Sequence, residues 1–453
     1  MNNRIMIAAP SSGSGKTMIT CALLGALVER KKKVKAFKCG PDYIDPMFHR
    51  KVQNVEAENL DLYLAGEEKA KSIFEEGSRN SEISVIEGVM GLYDGLGAIQ
   101  LEASSYHAAS LLDCPIILVI DAKGMGRSLI PLIRGFRDYD KNKLIKGLIL
   151  NRMSQSFYER NKEMLEQETG LELLGCFPEN SEFQIKSRHL GLQLPSEIEE
   201  IREKLKKAAG QMEECVNIDR ILELSESIPW QKEENISFKK NDNLKKCREK
   251  LTLAVARDEA FCFYYDANIR EFQKRGIEIR YFSPLKDKKL PKEADGLLFG
   301  GGYPELYLEK LSANKEMLQE VKEAIEGKMP SLAECGGFMY LCRKIDGKEM
   351  AGVIDGECIR KKRLVNFGYI QLQEKNSYFL PPGKSIRAHE FHYYDCSANG
   401  DSCIAQKPAS DRTRECVHEG KEHFWGFPHL YYPFAEEFID HFAEEMKRYH
   451  ETK

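Results

Sequence analysis

The sequence predicts an α/β protein made of two open parallel-sheet domains. Three observations carry this. Short apolar runs alternate with longer helical patterns through about residue 190, the texture of parallel strands joined by crossover helices. A second strand series begins at Leu251, after a charged stretch. Each series also holds a glycine-bearing turn between a strand and a helix: Ala9-Pro-Ser-Ser-Gly-Ser-Gly-Lys-Thr17 in the first, Ser331-Leu-Ala-Glu-Cys-Gly-Gly-Phe-Met-Tyr340 in the second.

The chain has 453 residues, which calls for two or three domains. An apolar fraction of 42% with 30% charged residues fits a globular protein, and a net charge of −4 without a basic stripe argues against nucleic acid as a partner. The thirteen cysteines form no Cys-x-x-Cys pair and no Cys/His ligand spacing. Their odd count argues against a disulfide framework and for a reduced, cytoplasmic setting. Twelve of them read as small buried hydrophobes and one, Cys335, as reactive. The chain starts directly on a strand without signal-peptide character, and no apolar stretch is long enough to span a bilayer.

In the first series the expected strands are 4–9, 34–38, 83–87, 116–121, 147–150 and 173–177. Ligands of such sheets bind beyond the carboxyl ends of the strands. The first strand runs into a phosphate-binding loop, with Pro10 where the full Walker pattern has glycine. Gly13, Ser14 and Gly15 let backbone N–H groups converge on phosphate oxygens. Lys16 reaches the β- and γ-phosphates of ATP, and Thr17 can coordinate Mg²⁺. An amphipathic helix, 18–29, follows.

The turns after the next strands supply carboxylates. Asp42 and Glu87 are expected at the metal beside Thr17, because Mg²⁺ takes oxygen ligands and needs few from protein. Asp45 and Asp94 lie in the same two turns, as candidates for the metal or the substrate. Asp121 ends the next expected strand, where a capped helix start reads equally well, and the Asn151 amide stands where it could read adenine.

From Pro195 the texture becomes charged and helical, then a solvated linker, with a domain boundary near 230–248. The expected domains are therefore 1–195, a helical segment and linker 196–247, and 248–453. The second series has strands at 251–256, 277–281, 296–299 and 330–333. The last leads into a nucleophile elbow. Cys335 stands at its tip, Gly336 and Gly337 relieve crowding, and the following helix is expected to lower the thiol pKa. The Gly336 N–H is one oxyanion donor, and the second comes from the glycine loop Phe299-Gly-Gly-Gly-Tyr-Pro-Glu305, at Gly301 or Gly302. A proton shuttle is needed. His429 is best placed for it, with His389 and His392 as alternatives. A triphosphate loop and an acyl-directed cysteine on one chain point to ATP-driven acyl chemistry, of which glutamine-dependent amide synthesis is the economical form.

These motifs, with Lys38-Cys-Gly-Pro-Asp-Tyr-Ile-Asp-Pro46, Glu87-Gly-Val-Met-Gly-Leu-Tyr-Asp-Gly95, Arg188-His-Leu-Gly-Leu192, Ala254-Val-Ala-Arg-Asp-Glu-Ala-Phe-Cys-Phe-Tyr-Tyr265 and Arg387-Ala-His-Glu-Phe-His-Tyr393, give the chain a resemblance over nearly its whole length to the cobyrinate a,c-diamide synthases of cobalamin synthesis. The resemblance implies an ATP-dependent amide ligase domain related to dethiobiotin synthetase and a flavodoxin-like class I glutamine amidotransferase domain. It implies Cys335 as nucleophile, activated by His429. Many class I amidotransferases place a glutamate two residues after the histidine, and here that place is Tyr431. The implied partners are ATP, L-glutamine and a tetrapyrrole polycarboxylate such as cobyrinate, with hydrogenobyrinate and nickel-sirohydrochlorin as the substrates of close relatives. Asp45, Asp94 and the apolar side chains Tyr43 and Ile44 are expected to meet the macrocycle. Ammonia would protonate in bulk water, so a shielded route between the two sites is expected. The reading from another class is an ATP-sensing switch or scaffold with a degenerate amidotransferase domain; a ligase of the dethiobiotin type would leave the second half without a task.

Overall fold

A computed structural model describes residues 3–183, 195–226, 250–408 and 410–453. The Arg188–Leu192 motif and the linker sequence around 230–248 lie outside them. The chain divides into two compact units, residues 1–234 and 235–453.

The first unit is built on a seven-stranded sheet in the order β3-β2-β4-β1-β5-β6-β7. Its strands are β1 (Asn3–Ala8), β2 (Val34–Cys39), β3 (Glu56–Leu60), β4 (Ile83–Glu87), β5 (Ile116–Asp121), β6 (Ile145–Asn151) and β7 (Glu172–Phe177), all parallel. Six of them are the expected strands. β3 is the addition: its Glu-Ala-Glu-Asn-Leu sequence carries no apolar run, and it is an edge strand. Lys35 of β2 ties it down through Glu58 at 3.0 Å and Glu56 at 3.7 Å. The helix after the phosphate loop is α1 (Lys16–Glu29), starting two residues earlier than its apolar pattern. Its inner face meets Ile5, Ile7 and Val119 of the sheet, and Ala208, Ala209, Met212 and Ile221 from the helices Pro195–Cys215 and Ile218–Glu226 join the same core. The charged helical segment thus packs into the first unit.

The second unit begins with β8 (Thr252–Ala256), β9 (Phe261–Phe263), β10 (Glu278–Phe282), β11 (Gly296–Phe299), β12 (Gly301–Gly302) and β13 (Ser331–Glu334). The strands β14 (Cys342–Ile345), β15 (Lys348–Glu349), β16 (Ile354–Arg360), β17 (Asn366–Glu374), β18 (Ile386–His392) and β19 (Tyr394–Cys396) follow. The series ends with β20 (Cys403–Gln406), β21 (Thr413–Cys416), β22 (His418–Gly420), β23 (His423–Gly426) and β24 (His429–Leu430).

The central sheet runs β10-β8-β11-β13-β23-β22 and is parallel except for β22. Three smaller sheets surround it: β15-β14-β16-β19, β21-β20-β17-β18-β24 and the pair β12-β9. One apolar cluster centres on Phe299, Phe338 and Tyr340, another on Leu253, Phe272 and Phe442, on the two faces of the central sheet. Among the described residues, no helix is long and apolar enough to cross a membrane.

Candidate functional site

Each unit carries one cluster of reactive groups at the carboxyl ends of its strands. In the first, β1 ends at Ala8 and the loop turns through Gly13 (φ 81°) and Gly15 (φ 95°), conformations open to glycine. A Cβ on Gly15 would lie 2.2 Å from the Asn151 Nδ2, so the loop rests directly on that amide. The amide donates to the Ser14 carbonyl at 2.8 Å, and Arg152 donates to the Gly13 carbonyl at 3.2 Å while ion-pairing with Asp121. Asn151 therefore props the phosphate loop, where adenine reading was expected. It also lines a cleft of about 210 Å³ beside Thr17, with Arg152, Phe177, Pro178 and Asn180.

Lys16 Nζ donates to the carbonyls of Ser11 and Met90. Burial, and then the charge of Lys38, pull its pKa down to about 8. Thr17 Oγ1 donates to Glu87 Oε1 at 2.6 Å. The same carboxylate oxygen accepts from Lys38 at 2.6 Å, and Lys38 reaches Asp45 Oδ2 at 2.7 Å. Lys38 is the group that the motif reading passed over. Its signal was a lysine near the end of an apolar strand, and against its burial the ammonium is held charged by Glu87, Asp45 and Asp42. Glu87 Oε2 is buried without a hydrogen-bond partner among the described residues, and His49 Nε2 stands 3.9 Å away. Thr17 hydroxyl and Glu87 carboxylate are thus brought together as expected, with one carboxylate oxygen in reserve.

The other expected residues take different places. Asp42 Oδ1 accepts from the amides of Ile44 at 2.8 Å and Asp45 at 3.1 Å, capping the start of α2 (Ile44–Val52) rather than joining the Thr17–Glu87 contact. Burial and the neighbouring Asp45 push its pKa up. Asp45, expected at the substrate, is buried on Lys38. Asp94 Oδ2 accepts from the Gly91 amide at 3.0 Å and holds that turn. Tyr43 is buried and Ile44 half-buried.

In the second unit β13 ends at Glu334 and the chain reverses at Cys335, whose φ of 48° and ψ of −104° make it a strained non-glycine residue. The elbow helix, Gly336–Leu341, follows. Glycine is required beside it. A Cβ on Gly337 would sit 2.2 Å from the Phe299 carbonyl, and one on Gly336 would sit 3.2 Å from the Gly302 nitrogen. Gly302 and Gly336 therefore stand side by side as the oxyanion reading requires. Gly301 packs against the proton shuttle, where a Cβ would meet His429 Cε1 at 2.3 Å.

The expected lowering of the Cys335 pKa does not occur. Burial pushes the thiol well above its ordinary value, Glu305 adds to this, and the Gly336 amide opposes. The elbow helix has only six residues, so its dipole is short. Burial brings His429 down to about 3, helped by His389 and His392. His389 is the cross-strand partner of His429, while His392 stacks on Phe427 at 3.9 Å and holds the Tyr394 carbonyl through Nδ1 at 2.6 Å.

The group the sequence left unassigned is Glu334. Its Oε2 lies 3.8 Å from His429 Nδ1, and its Oε1 accepts from Tyr432 Oη at 2.6 Å. Burial pushes its carboxyl up to about 8. The residue before the nucleophile thus places a carboxyl group near the ring, where position 431 offers a tyrosine. Cysteine, histidine and glutamate are all close to uncharged at neutral pH, a dry set of groups among which a proton can move without leaving an isolated charge.

Comparison with known proteins finds a family match in each unit. Residues 5–192 match the CobQ/CobB/MinD/ParA nucleotide binding domain, and residues 252–426 match the CobB/CobQ-like glutamine amidotransferase domain. The cobyrinate a,c-diamide synthase of Caldanaerobacter subterraneus subsp. tengcongensis is 38% identical over 94% of this chain and 94% of that protein. That of Clostridium acetobutylicum is 42% identical over 86% of each, and that of Picrophilus torridus 38% identical over 95% of this chain and 96% of that protein. The chain belongs to the cobyrinate a,c-diamide synthase family. It is a glutamine-dependent amide ligase with a nucleotide-binding domain, and the expected fold class is the one found. The amidotransferase match ends at Gly426, short of His429, so His429 stands on the geometry around Gly301 and Glu334.

Proposed function

We propose that this chain converts the a and c acetate carboxylates of cobyrinate to amides, using ATP and the amide nitrogen of glutamine. The observation that carries the reading is the pairing of a Lys16–Thr17–Glu87 phosphate site with a Cys335–His429–Glu334 elbow on one chain of this family. Cys335 attacks the glutamine carboxamide as its proton passes to His429. The Gly336 amide and the Gly301–Gly302 loop face the oxyanion, and His429 returns the proton to the departing ammonia. Water then hydrolyses the thioester to glutamate. The Glu334 carboxyl lies beside the imidazolium that forms between these steps, and that charge favours its ionised form while it lasts.

In the other unit a substrate carboxylate attacks the γ-phosphorus of ATP and releases ADP. Ammonia displaces phosphate from the acyl phosphate. Lys16 leaves its carbonyl partners for the phosphates, and the cleft beside Asn151 and Phe177 is the place for the base. Thr17 Oγ1 and the Glu87 carboxylate would hold Mg²⁺, and the unpartnered Glu87 oxygen fits that ion. When bound, the ion neutralises phosphate charge. Tyr43, Ile44 and Asp94 remain the proposed substrate contacts, the domain limits 1–195, 196–247 and 248–453 the proposed functional division, and a reducing cytoplasm the proposed setting.

The test offers cobyrinate, hydrogenobyrinate and nickel-sirohydrochlorin in parallel with ATP and glutamine, and follows product mass. Two added amides on cobyrinate, formed faster than on the other two, support the reading. Preference for either of the others reassigns the substrate, and no amide on any of them removes the activity.

A further inference from the structure

Among the described residues, one cluster of potential metal ligands stands apart from both sites: Cys342, Cys358 and Cys396. Their sulfurs come from three adjacent strands. Cys342 begins β14 directly after the elbow helix, Cys358 lies in β16 beside it, and Cys396 ends β19, where it is the cross-strand partner of Cys358. The sequence hides the set, because the three are separated by long stretches and no two share a ligand-like spacing.

Cys342 Sγ lies 3.7 Å from Cys396 Sγ and 3.6 Å from Cys358 Sγ, and the three sulfurs all fall within 4.8 Å of one another. A disulfide would need about 2.05 Å. A zinc ion holding thiolates at about 2.3 Å in a tetrahedron sets its sulfurs about 3.8 Å apart. The two edges at Cys342, 3.7 and 3.6 Å, are close to that figure. The setting supplies a backbone donor to one of the sulfurs. The Ala398 amide donates to Cys396 Sγ at 3.4 Å, the kind of outer hydrogen bond that steadies a metal-bound sulfur. Gly356 keeps the space beside it clear, since a Cβ there would stand 2.9 Å from that sulfur.

We propose that Cys342, Cys358 and Cys396 form a three-thiolate site for a thiophilic divalent cation of the Zn²⁺ class. Each sulfur that still carries a proton releases it to solvent as its bond to the metal forms, and no electron moves. No other His, Cys, Asp or Glu joins the three among the described residues, so the fourth corner is left to a solvent ligand. The site fastens β14, β16 and β19 to the C-terminal end of the elbow helix, a structural clamp behind the nucleophile. It is independent of the substrate assigned above.

The test uses the full-length protein purified under reducing conditions from zinc-replete cells. Metal analysis after dialysis is expected to give about one zinc per chain, and Co²⁺ added to the stripped protein should produce thiolate-to-metal charge-transfer absorption. Cys358→Ser and Cys396→Ser should each weaken zinc retention against a chromophoric chelator by at least about tenfold. Cys335→Ser should retain zinc, which separates this site from the reactive thiol. The wild-type measurement decides even if the serine variants fold poorly. Stripped protein that binds neither zinc nor cobalt, while all thirteen cysteines titrate as thiols after denaturation, would show a packed thiol core and overturn the proposal. So would a disulfide between any two of the three in the freshly purified protein, or zinc retention unchanged in Cys358→Ser.

Discussion

At the scale of single residues, the amidotransferase site works with neutral groups. Glu334 titrates near 8 in the folded protein against 4.5 ordinarily, so between those values the native state holds a proton that the unfolded chain has released. Stability from this residue is therefore full below 4.5 and falls as pH rises towards 8. His429 acts in the other direction and lower: near 3 when folded against 6.5, it costs stability below that window and the cost fades as pH rises through it. Glu334→Gln removes only the first effect. The stability of wild type minus that of the variant, from urea denaturation, should shrink steadily from pH 4.5 to 8, and a constant difference would contradict the raised carboxyl pKa. The same variant should lose glutaminase turnover while ammonium-dependent synthesis remains.

At the scale of elements, the glycine loop of β12 has no room for growth. Gly301→Ala places a methyl group 2.3 Å from His429 Cε1, and the ring must move. A displacement near 1 Å at a catalytic group costs on the order of a hundredfold, so glutaminase should fall by about that factor with ammonium-dependent synthesis unchanged. An equal fall with both nitrogen sources would mean general unfolding.

The strands that carry chemistry were legible because they are buried and apolar and either run into a glycine-bearing turn, as β1 does, or end in a carboxylate, as β4 and β13 do. Edge strand β3 was not, since its Glu-Ala-Glu-Asn-Leu face is held by Lys35, a pairing visible only once the strands are adjacent. Most of β14 to β24 escaped for a related reason: short antiparallel strands alternate polar and apolar residues against partners far along the chain. Cys335 and Lys16 announce themselves through local glycines. Glu334 and Lys38 do not, because which face of a strand points at His429 or at Glu87 is decided by the fold.

For the whole molecule, the two chemistries should come apart. Cys335→Ser is expected to abolish synthesis from glutamine and keep it at high ammonium, because the thiol serves only to release nitrogen. Lys16→Ala should do the reverse. It removes a cation from the phosphate site, worth several kcal/mol in such transition states, so synthesis collapses with either nitrogen source while basal glutaminase persists. Amide formation and glutamate release measured side by side check both variants. A Lys16→Ala protein making diamide at the wild-type rate would displace the ligase site from this loop.

The backbone at Cys335 has a consequence of a different order. A left-handed φ on a residue with a Cβ costs about 1–3 kcal/mol, which the surrounding fold sustains so that the sulfur projects from the turn. Glycine would carry no such cost. Cys335→Gly is accordingly expected to melt above Cys335→Ala, although both are inert towards glutamine, and the reverse order in calorimetry would count against strain at the tip. The thiol is thus kept against a standing pull towards glycine. In a lineage fed by free ammonia nothing would resist that pull, and position 335 would be among the first to relax, so that cysteine there is a mark of glutamine use in the living cell.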